Sequence, residues 1–545
     1  MRKLPAFTWA LGLAAVALQA MALATQYFQP WLDSDYLLPQ RFVGDVLGGR
    51  YPLSGWSMSS SLYLFPDFLG SAFWYAVTGG APVLPYYVVT AYVALALLAG
   101  WSLRRAGGPG WGGWLAGAAL VNFLLAWRGA GDHARWLWWL GTATFHGGAV
   151  LLGLAQFALW AGPTGKAPRR GRWAVAAVLM FLGALSDTLF LTQFVVPIGF
   201  ALAATAGAGW RRSARFRSFM AALVGTLAAV AVVRVSIALA GWWRVPAVFR
   251  HAPTPVAIEG AAARFARDLA GPLPQAVGGF LAALIACPAA ALLMEWRERR
   301  ADRTVTIERR QAGWFAGLCL ISTLALPLMA VYWTNPQNGR YILPCLVIPE
   351  WWMLACLRPR LARLCGAWPS YRRAMLATLA AIFGFAALVS AAGVRTDAWR
   401  WPYPARVAEL DRFLAARGLQ TGLADYWNAH YVEALSRNSI HVNQLDAHAR
   451  VKFWDNNAFH HFERAADGRL WSPVYRFILV DDLDESALLA RFGPPAGRAE
   501  AGGYRLWLYD GAGSRRVSAA VDAEVRAFLG DRPGTGAIAG PAPGP

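Results

Sequence analysis

A chain of 545 residues that is 57% hydrophobic, with a mean hydropathy of +0.35, lies outside the soluble range and reads as a polytopic membrane protein. Its net charge of +20 would suggest nucleic acid in a soluble protein, but the arginines cluster in short loops between apolar runs, as cytoplasmic loops do, so no nucleic-acid partner is expected. The five cysteines, Cys287, Cys319, Cys345, Cys356 and Cys365, have no CxxC or Cys/His spacing, and neither a disulfide framework nor a zinc site is implied.

With about 20 residues as the length of a span, apolar runs at roughly 6–27, 83–103, 111–127, 142–162, 173–186, 188–207, 218–240, 274–295, 311–332, 341–357 and 374–394 predict about eleven transmembrane helices. The runs flanking Ser186-Asp187 are either one broken helix or two tilted ones. Met1-Arg2-Lys3 and Ala22-Leu23-Ala24 would also fit a cleaved signal peptide, but the apolar stretch exceeds a signal core and a retained helix is expected. Placing the N-terminus in the cytoplasm puts Arg104/Arg105, Lys166 to Arg172, Arg211 to Arg217, Arg297 to Arg310 and Arg358 to Arg373 on that side, leaving far fewer basic residues opposite.

Directly after the first span, Asp33-Ser34-Asp35 places two carboxylates at the start of an outer loop covering 28–82. Asp35, or Asp33, suits a general base toward an acceptor hydroxyl, and burial beside a second carboxylate would raise one pKa toward that role. The competing reading is that Asp33 or Ser34 caps the loop helix. A divalent metal could sit between Asp33 and Asp35, although a D-x-D pair does not by itself require one; no other cofactor is expected. Leu38, Phe42 and Val46 share one helical face while Arg41 and Asp45 point elsewhere, predicting an amphipathic helix along the membrane surface. The loop 241–273 repeats the device, with Ile258, Ala262, Phe265 and Leu269 set against Glu259, Arg264, Arg267 and Asp268.

Four further places carry polar groups near the membrane. Arg128 and His133, beside Asp132 and Arg135, either contact a lipid phosphate or snorkel to the headgroups. His146 reads as a buried, satisfied histidine. Asp187 is a carboxylate between apolar runs, either functional or a cap for the next helix. Arg340, followed by Tyr341, opens a span on the outer side and suits bidentate contact with a phosphate, with snorkelling as the alternative. Asp67 is expected to start a helix.

Beyond Ala391 the composition turns globular, and residues 395–530 predict a small α/β domain on the outer face, with strands at Phe477–Val480 and Tyr504–Leu508 and helices at Arg406–Arg417 and Glu485–Arg491. Asp425, Trp427, Asn428 and His430 mix acidic, aromatic and amide groups as carbohydrate sites do, or else mark a half-exposed strand. Residues 531–545 are rich in Gly, Pro and Ala and predict a disordered tail.

An acidic pair after the first span, a membrane-surface helix at about 36–48, and a soluble outer domain following the spans together resemble the GT-C superfamily of integral-membrane glycosyltransferases. The resemblance covers roughly residues 1–394. It implies an all-α polytopic membrane domain with a small C-terminal α/β outer-face domain, and transfer of a sugar from a polyprenyl-phosphate donor to an acceptor on the outer face. It also implies Asp35 as leading base with Asp33 as its partner, Arg340 and Tyr341 among the phosphate contacts, and residence in a bacterial inner membrane with the C-terminal domain periplasmic. No WWD-type motif is present, so asparagine-linked transfer is not implied. A flippase for a lipid-linked glycan and a non-catalytic scaffold remain the other readings. No internal repeat supports the first of these.

Overall fold

The computed structural model describes residues 3–32, 34–49, 51–58, 61–79, 82–107, 111–128, 134–143, 145–163, 167–241, 243–244, 254–270, 274–300, 305–329, 336–395, 399–464, 469–530 and 535–541. In chain order the helices are α1 Lys3–Trp31, α2 Ser34–Gly48, α3 Leu69–Thr78, α4 Leu84–Gly107, α5 Gly112–Arg128, α6 Ala134–Gly141, α7 Gly147–Trp160 and α8 Arg170–Ser186. A short α9, Thr188–Phe190, runs through a π turn into α10 Val196–Ala206. Then come α11 Ala214–Ala240, α12 Pro255–Ala270, α13 Pro274–Arg300 and α14 Ile307–Met329. A 3-10 segment, Pro336–Leu346, leads into α15 Ile348–Ala367 and α16 Pro369–Gly393. The C-terminal part adds α17 Ala405–Ala415, α18 Tyr426–Leu435, α19 Glu485–Phe492 and α20 Gly511–Leu529.

Among the described residues, six helices are long and apolar enough to cross a membrane: Leu4–Gln26, Leu84–Gly107, Thr188–Arg212, Ala214–Ala240, Gly339–Ala367 and Pro369–Gly393. The chain is thus a multi-pass membrane protein, and of the eleven expected runs six form helices of that length and composition among the described residues. Three of the shorter runs form helices of 17, 14 and 17 residues, and at 1.5 Å per residue these reach roughly 21 to 26 Å, short of a hydrocarbon core of about 30 Å. α13 and α14 cover the remaining two runs. The helix break expected near Asp187 is present: α8 ends at Ser186, and Asp187 adopts an extended conformation before α9. Inside the helical part, polar side chains hydrogen-bond across helices, Asn122 Nδ2 donating to the Gly12 carbonyl at 3.0 Å and Trp351 Nε1 to Ser102 Oγ at 2.7 Å, as buried donors without access to water must. All five cysteines are free thiols.

The C-terminal part is built on a five-stranded sheet. Its strands are β3 Thr421–Asp425, β4 His441–Leu445, β8 Phe477–Leu479, β9 Gly497–Ala501 and β10 Tyr504–Leu508, ordered β4-β3-β8-β10-β9. β3 pairs parallel with β4 and β8, while β10 is antiparallel to β8 and β9. The two-residue period of a strand divides its apolar side chains between two layers. Ala424, Phe477, Leu479, Tyr504 and Leu506 pack with Leu410 and Leu414 of α17 and Val432 of α18. Leu423, Ile478 and Trp507 pack with Leu488 of α19 and Val517, Val521 and Val525 of α20. Two expectations are corrected here. Residues 426–435 are helix rather than half-exposed strand, because Asp425 ends β3 and caps α18. The tail expected to be disordered contains β11, Ile538–Pro541, paired parallel with β7, Leu470–Ser472, which in turn pairs with β6, Glu463–Arg464.

A third, very short sheet joins distant parts of the chain. β1, Trp56–Ser57 in the first loop, pairs parallel with β2, Trp243–Arg244, and antiparallel with β5, Asn456–Asn457. Trp56 is wholly buried there, and a Cβ on neighbouring Gly55 would lie 2.1 Å from Asn457 Oδ1 and 2.4 Å from the Phe459 ring. Only glycine allows that approach.

Candidate functional site

The first turn of α2 docks on the first turn of α18. Ser34, buried, donates from Oγ to the carbonyls of Tyr426 at 2.5 Å and Trp427 at 3.1 Å, so its hydroxyl ties two helices together. Asp35 Oδ1 accepts from the Tyr426 hydroxyl at 2.5 Å, and its Oδ2 lies 3.5 Å from Arg340 Nη1. Tyr426 is aimed by the cap beneath it: Asp425 Oδ1 accepts from the backbone N–H groups of Trp427 and Asn428 at 2.8 and 3.3 Å, and Asn428 Nδ2 donates to Asp425 Oδ2 at 2.5 Å.

Arg340 stands in the 3-10 segment before α15, half-buried. Its guanidinium carbon lies 5.3 Å from the Tyr341 ring and 5.9 Å from that of Phe145, close enough for attraction to the ring faces. Its Nε has no hydrogen-bond partner among the described residues, so a donor directed by the planar fork remains unspent. Gln193 Nε2 donates to the Tyr341 carbonyl at 2.8 Å, fixing the segment against the Thr188–Arg212 span.

Behind Tyr341 lies a second polar group. The ring centroids of Tyr341 and His146 are 5.2 Å apart, and His146 Nδ1 is 2.7 Å from Asp187 Oδ2. Asp187 Oδ1 accepts from the backbone N–H of Leu189 at 2.9 Å and from Ser61 Oγ at 3.4 Å. The Tyr63 hydroxyl is 3.4 Å from His146 Nε2, and burial pushes that hydroxyl well above its ordinary pKa, keeping it a donor. Tyr63 and His146 both adopt left-handed backbone, with φ of 49° and 67°, a conformation that costs on the order of 1 kcal/mol or more and persists where packing enforces it. Asp67 accepts from Tyr87 at 2.5 Å instead of acting as a simple cap.

Further along α2 the charged face meets the C-terminal part. Arg41 reaches His430 Nε2 at 2.8 Å and His460 Nδ1 at 2.7 Å, and lies 3.6 Å from Glu433. His460 Nε2 donates to Asp45 Oδ2 at 2.9 Å. Because His460 accepts from Arg41 on one nitrogen and donates to Asp45 from the other, it is the neutral tautomer with its proton on Nε2. Burial lowers its pKa, only partly offset by Asp45. Burial works to raise Asp45, but His460, Asn457 and Arg41 outweigh it and leave the carboxyl below its ordinary value. Glu433 is likewise opposed by burial, yet its bond to His441 at 2.8 Å and the charge of Arg41 take it down to about 2. His441 is raised, the pull of Glu433 overcoming burial.

The expected residues therefore separate into groups. Asp35, Arg340 and Tyr341 come together, and Asp187 joins them through Tyr341 and His146. His430 is buried and turned to Arg41, while Asp425 and Asn428 form the cap of α18. Trp427 is half-exposed. Asp33, His133 and the Arg128 side chain lie outside the described residues. Tyr426, Tyr63, Arg41 and Asp45 were not singled out as site residues, and His146 was read as merely satisfied. The available signal was an Arg and an Asp at i, i+4 on an otherwise apolar helix. Among the described residues no group of three or more His, Cys, Asp or Glu is arranged to hold a metal ion.

A multi-pass membrane part, with six span-length apolar helices among the described residues, and a C-terminal strand-containing part is the class that these elements define. No protein-family model matches the chain, and no curated protein sequence matches it. Among solved structures it is similar to the Archaeoglobus fulgidus oligosaccharyltransferase, crystallised in complex with Zn and sulfate, at 12% identity and a TM-score of 0.42, over 85% of this chain and 67% of that one. A likeness at that score carries no argument about chemistry.

Proposed function

We propose that the chain is a membrane glycosyltransferase that moves a sugar from a polyprenyl-phosphate donor to an acceptor on the outer face of a bacterial inner membrane. Asp35 is the general base that takes the proton of the acceptor hydroxyl, and Arg340 holds the phosphate of the leaving lipid. The observation that carries the reading is the pairing of a carboxylate, Asp35, with a guanidinium that keeps one buried donor unspent, Arg340 Nε, where α2, α18 and the segment before α15 meet. A base for the nucleophile and a cation for the departing phosphate are the two groups that such a transfer needs. Tyr426, donating to Asp35, orients the carboxylate, and Tyr341 and Phe145 present their rings to the same cation. Membrane lipid is the expected surrounding, and Asp33 would be the partner of Asp35.

The test is turnover of a radiolabelled polyprenyl-phosphate sugar by the purified full chain. Asp35→Asn is expected to lower turnover by roughly 10²- to 10⁴-fold, the usual worth of a positioned base. Arg340→Lys, which keeps the charge but loses the fork, is expected to raise KM without restoring the wild-type value. Full turnover by Asp35→Asn would overturn the assignment.

A further inference from the structure

The charged seam of α2 encloses space that the reaction at Asp35 does not use. Gly44, Tyr51, Tyr75, His430, Glu433 and His441 are among the residues bordering a cavity of about 320 Å³, within the range of small-molecule sites. We propose that this cavity binds a neutral sugar unit, held between the rings of Tyr51 and Tyr75 and the polar edge formed by Glu433, His430 and His441.

Three observations converge on that ligand class. The charges of the wall are matched, Asp45 against Arg41 and Glu433 against His441. An ionised ligand would have to displace one of these carboxylates, whereas a neutral one leaves the pairing intact. His430, Glu433 and His441 border the cavity with polar side chains, groups of the kind that bond sugar hydroxyls. The half-buried Tyr51 and Tyr75 supply apolar ring faces that also carry hydroxyls, and Gly44 on α2 leaves the floor open, a Cβ there lying 3.7 Å from the Tyr75 hydroxyl.

The cavity lies six to ten residues beyond Asp35 on α2, roughly 9 to 15 Å at the helical rise. A saccharide chain could therefore occupy the cavity with one unit and present another near Asp35. The binding itself does not rest on the catalytic role of Asp35, and the experiment reads binding without turnover, so the two can fail separately.

The experiment is saturation-transfer NMR on the detergent-purified full chain with methyl glycosides of glucose, galactose, mannose and arabinose, and with inorganic phosphate as a competitor. At least one glycoside is expected to bind, with affinity reduced tenfold or more by Gly44→Leu, which fills the cavity, and by Tyr75→Ala, while Asp35→Asn leaves binding unchanged. Gly44→Ala, whose Cβ makes only ordinary contact, is the control for folding and is expected to bind. The proposal is overturned if no glycoside binds the wild-type chain, if binding survives Gly44→Leu and Tyr75→Ala, or if phosphate displaces the glycoside.

Discussion

Asp187 shows how one side chain can serve two demands at once. Its Oδ1 caps α9 through the Leu189 N–H, and its Oδ2 meets His146 Nδ1. Replacing it by alanine removes the cap, worth about 1 kcal/mol, and leaves a buried histidine nitrogen unmet, worth roughly 1–3 kcal/mol more. Asp187→Ala is expected to melt measurably lower in detergent, and Asp187→Asn, which keeps an acceptor oxygen, to recover part of the loss; equal melting of all three proteins would contradict this account. A carboxylate between apolar runs was conspicuous in the sequence. Its partner was not, since His146 lies 41 residues away on another helix and nothing in local periodicity links them. Asp35 was legible for the same reason as Asp187, whereas Tyr426, which orients it, belongs to a stretch whose short helix depends on the Asp425 cap rather than on any long apolar pattern.

At the scale of the element, α2 was legible on one face only. Leu38 and Phe42 are buried, Phe42 stacking with Phe68 at 4.7 Å and meeting Trp56 edge-on at 5.3 Å, as an amphipathic stripe requires. The opposite face, with Arg41 and Asp45, looked like solvent but is covered by α18 and the segment around His460. That cover brings a pH dependence. His461, beside this seam, is 2% exposed, neither ring nitrogen has a partner among the described residues, and burial takes its pKa down to about 3. A lowered histidine means that the unfolded chain binds the proton first, so stability is lost as pH falls below the ordinary value of 6.5. At about 1.4 kcal/mol per unit, the loss from this residue reaches roughly 2 kcal/mol at pH 5. His460, also lowered, adds in the same direction. His441, raised, acts oppositely, its contribution present in acid and lost as pH rises through its elevated value, and Glu433 contributes until pH falls from the ordinary carboxylate range toward 2. Thermal melts between pH 7 and 5 are expected to fall for the wild-type chain and to fall less for His461→Phe. Parallel slopes would show that this histidine is not a source of the acid sensitivity.

For the whole molecule, composition alone was enough to recognise many apolar helices, but not how many cross. Helices of 14 and 17 residues and longer ones look alike in composition when loops are short, and it is their lengths in the structure that separate them. The strands at 477–479 and 504–508 were legible from their apolar period, whereas β3 and β4 were hidden by residues such as Thr421, Gly422, Asn443 and Gln444, whose burial depends on the sheet around them. Least legible was the β2-β1-β5 ribbon, two residues per strand and assembled from three remote segments. Gly55→Ala would force its Cβ into Asn457 and Phe459, and overpacking of that kind costs about 1–3 kcal/mol. Hydrogen exchange is expected to quicken around Trp56 and Asn457 in this variant while α4 and α15 keep their protection. Unchanged exchange at the ribbon would show that it does not hold these segments together.

The ribbon also imposes an order of events on the newborn protein. Trp56 waits about 400 residues for Asn457, and Asp35 waits as long for the hydroxyl of Tyr426. Closing so long a loop is slow compared with forming helices. The membrane helices can therefore be in place while the site is still half-made, and a nascent chain halted before β5 is a lipid-embedded protein without the ribbon strand that anchors Trp56. The carboxylate of Asp35 gains its Tyr426 partner only after residue 426 has been made.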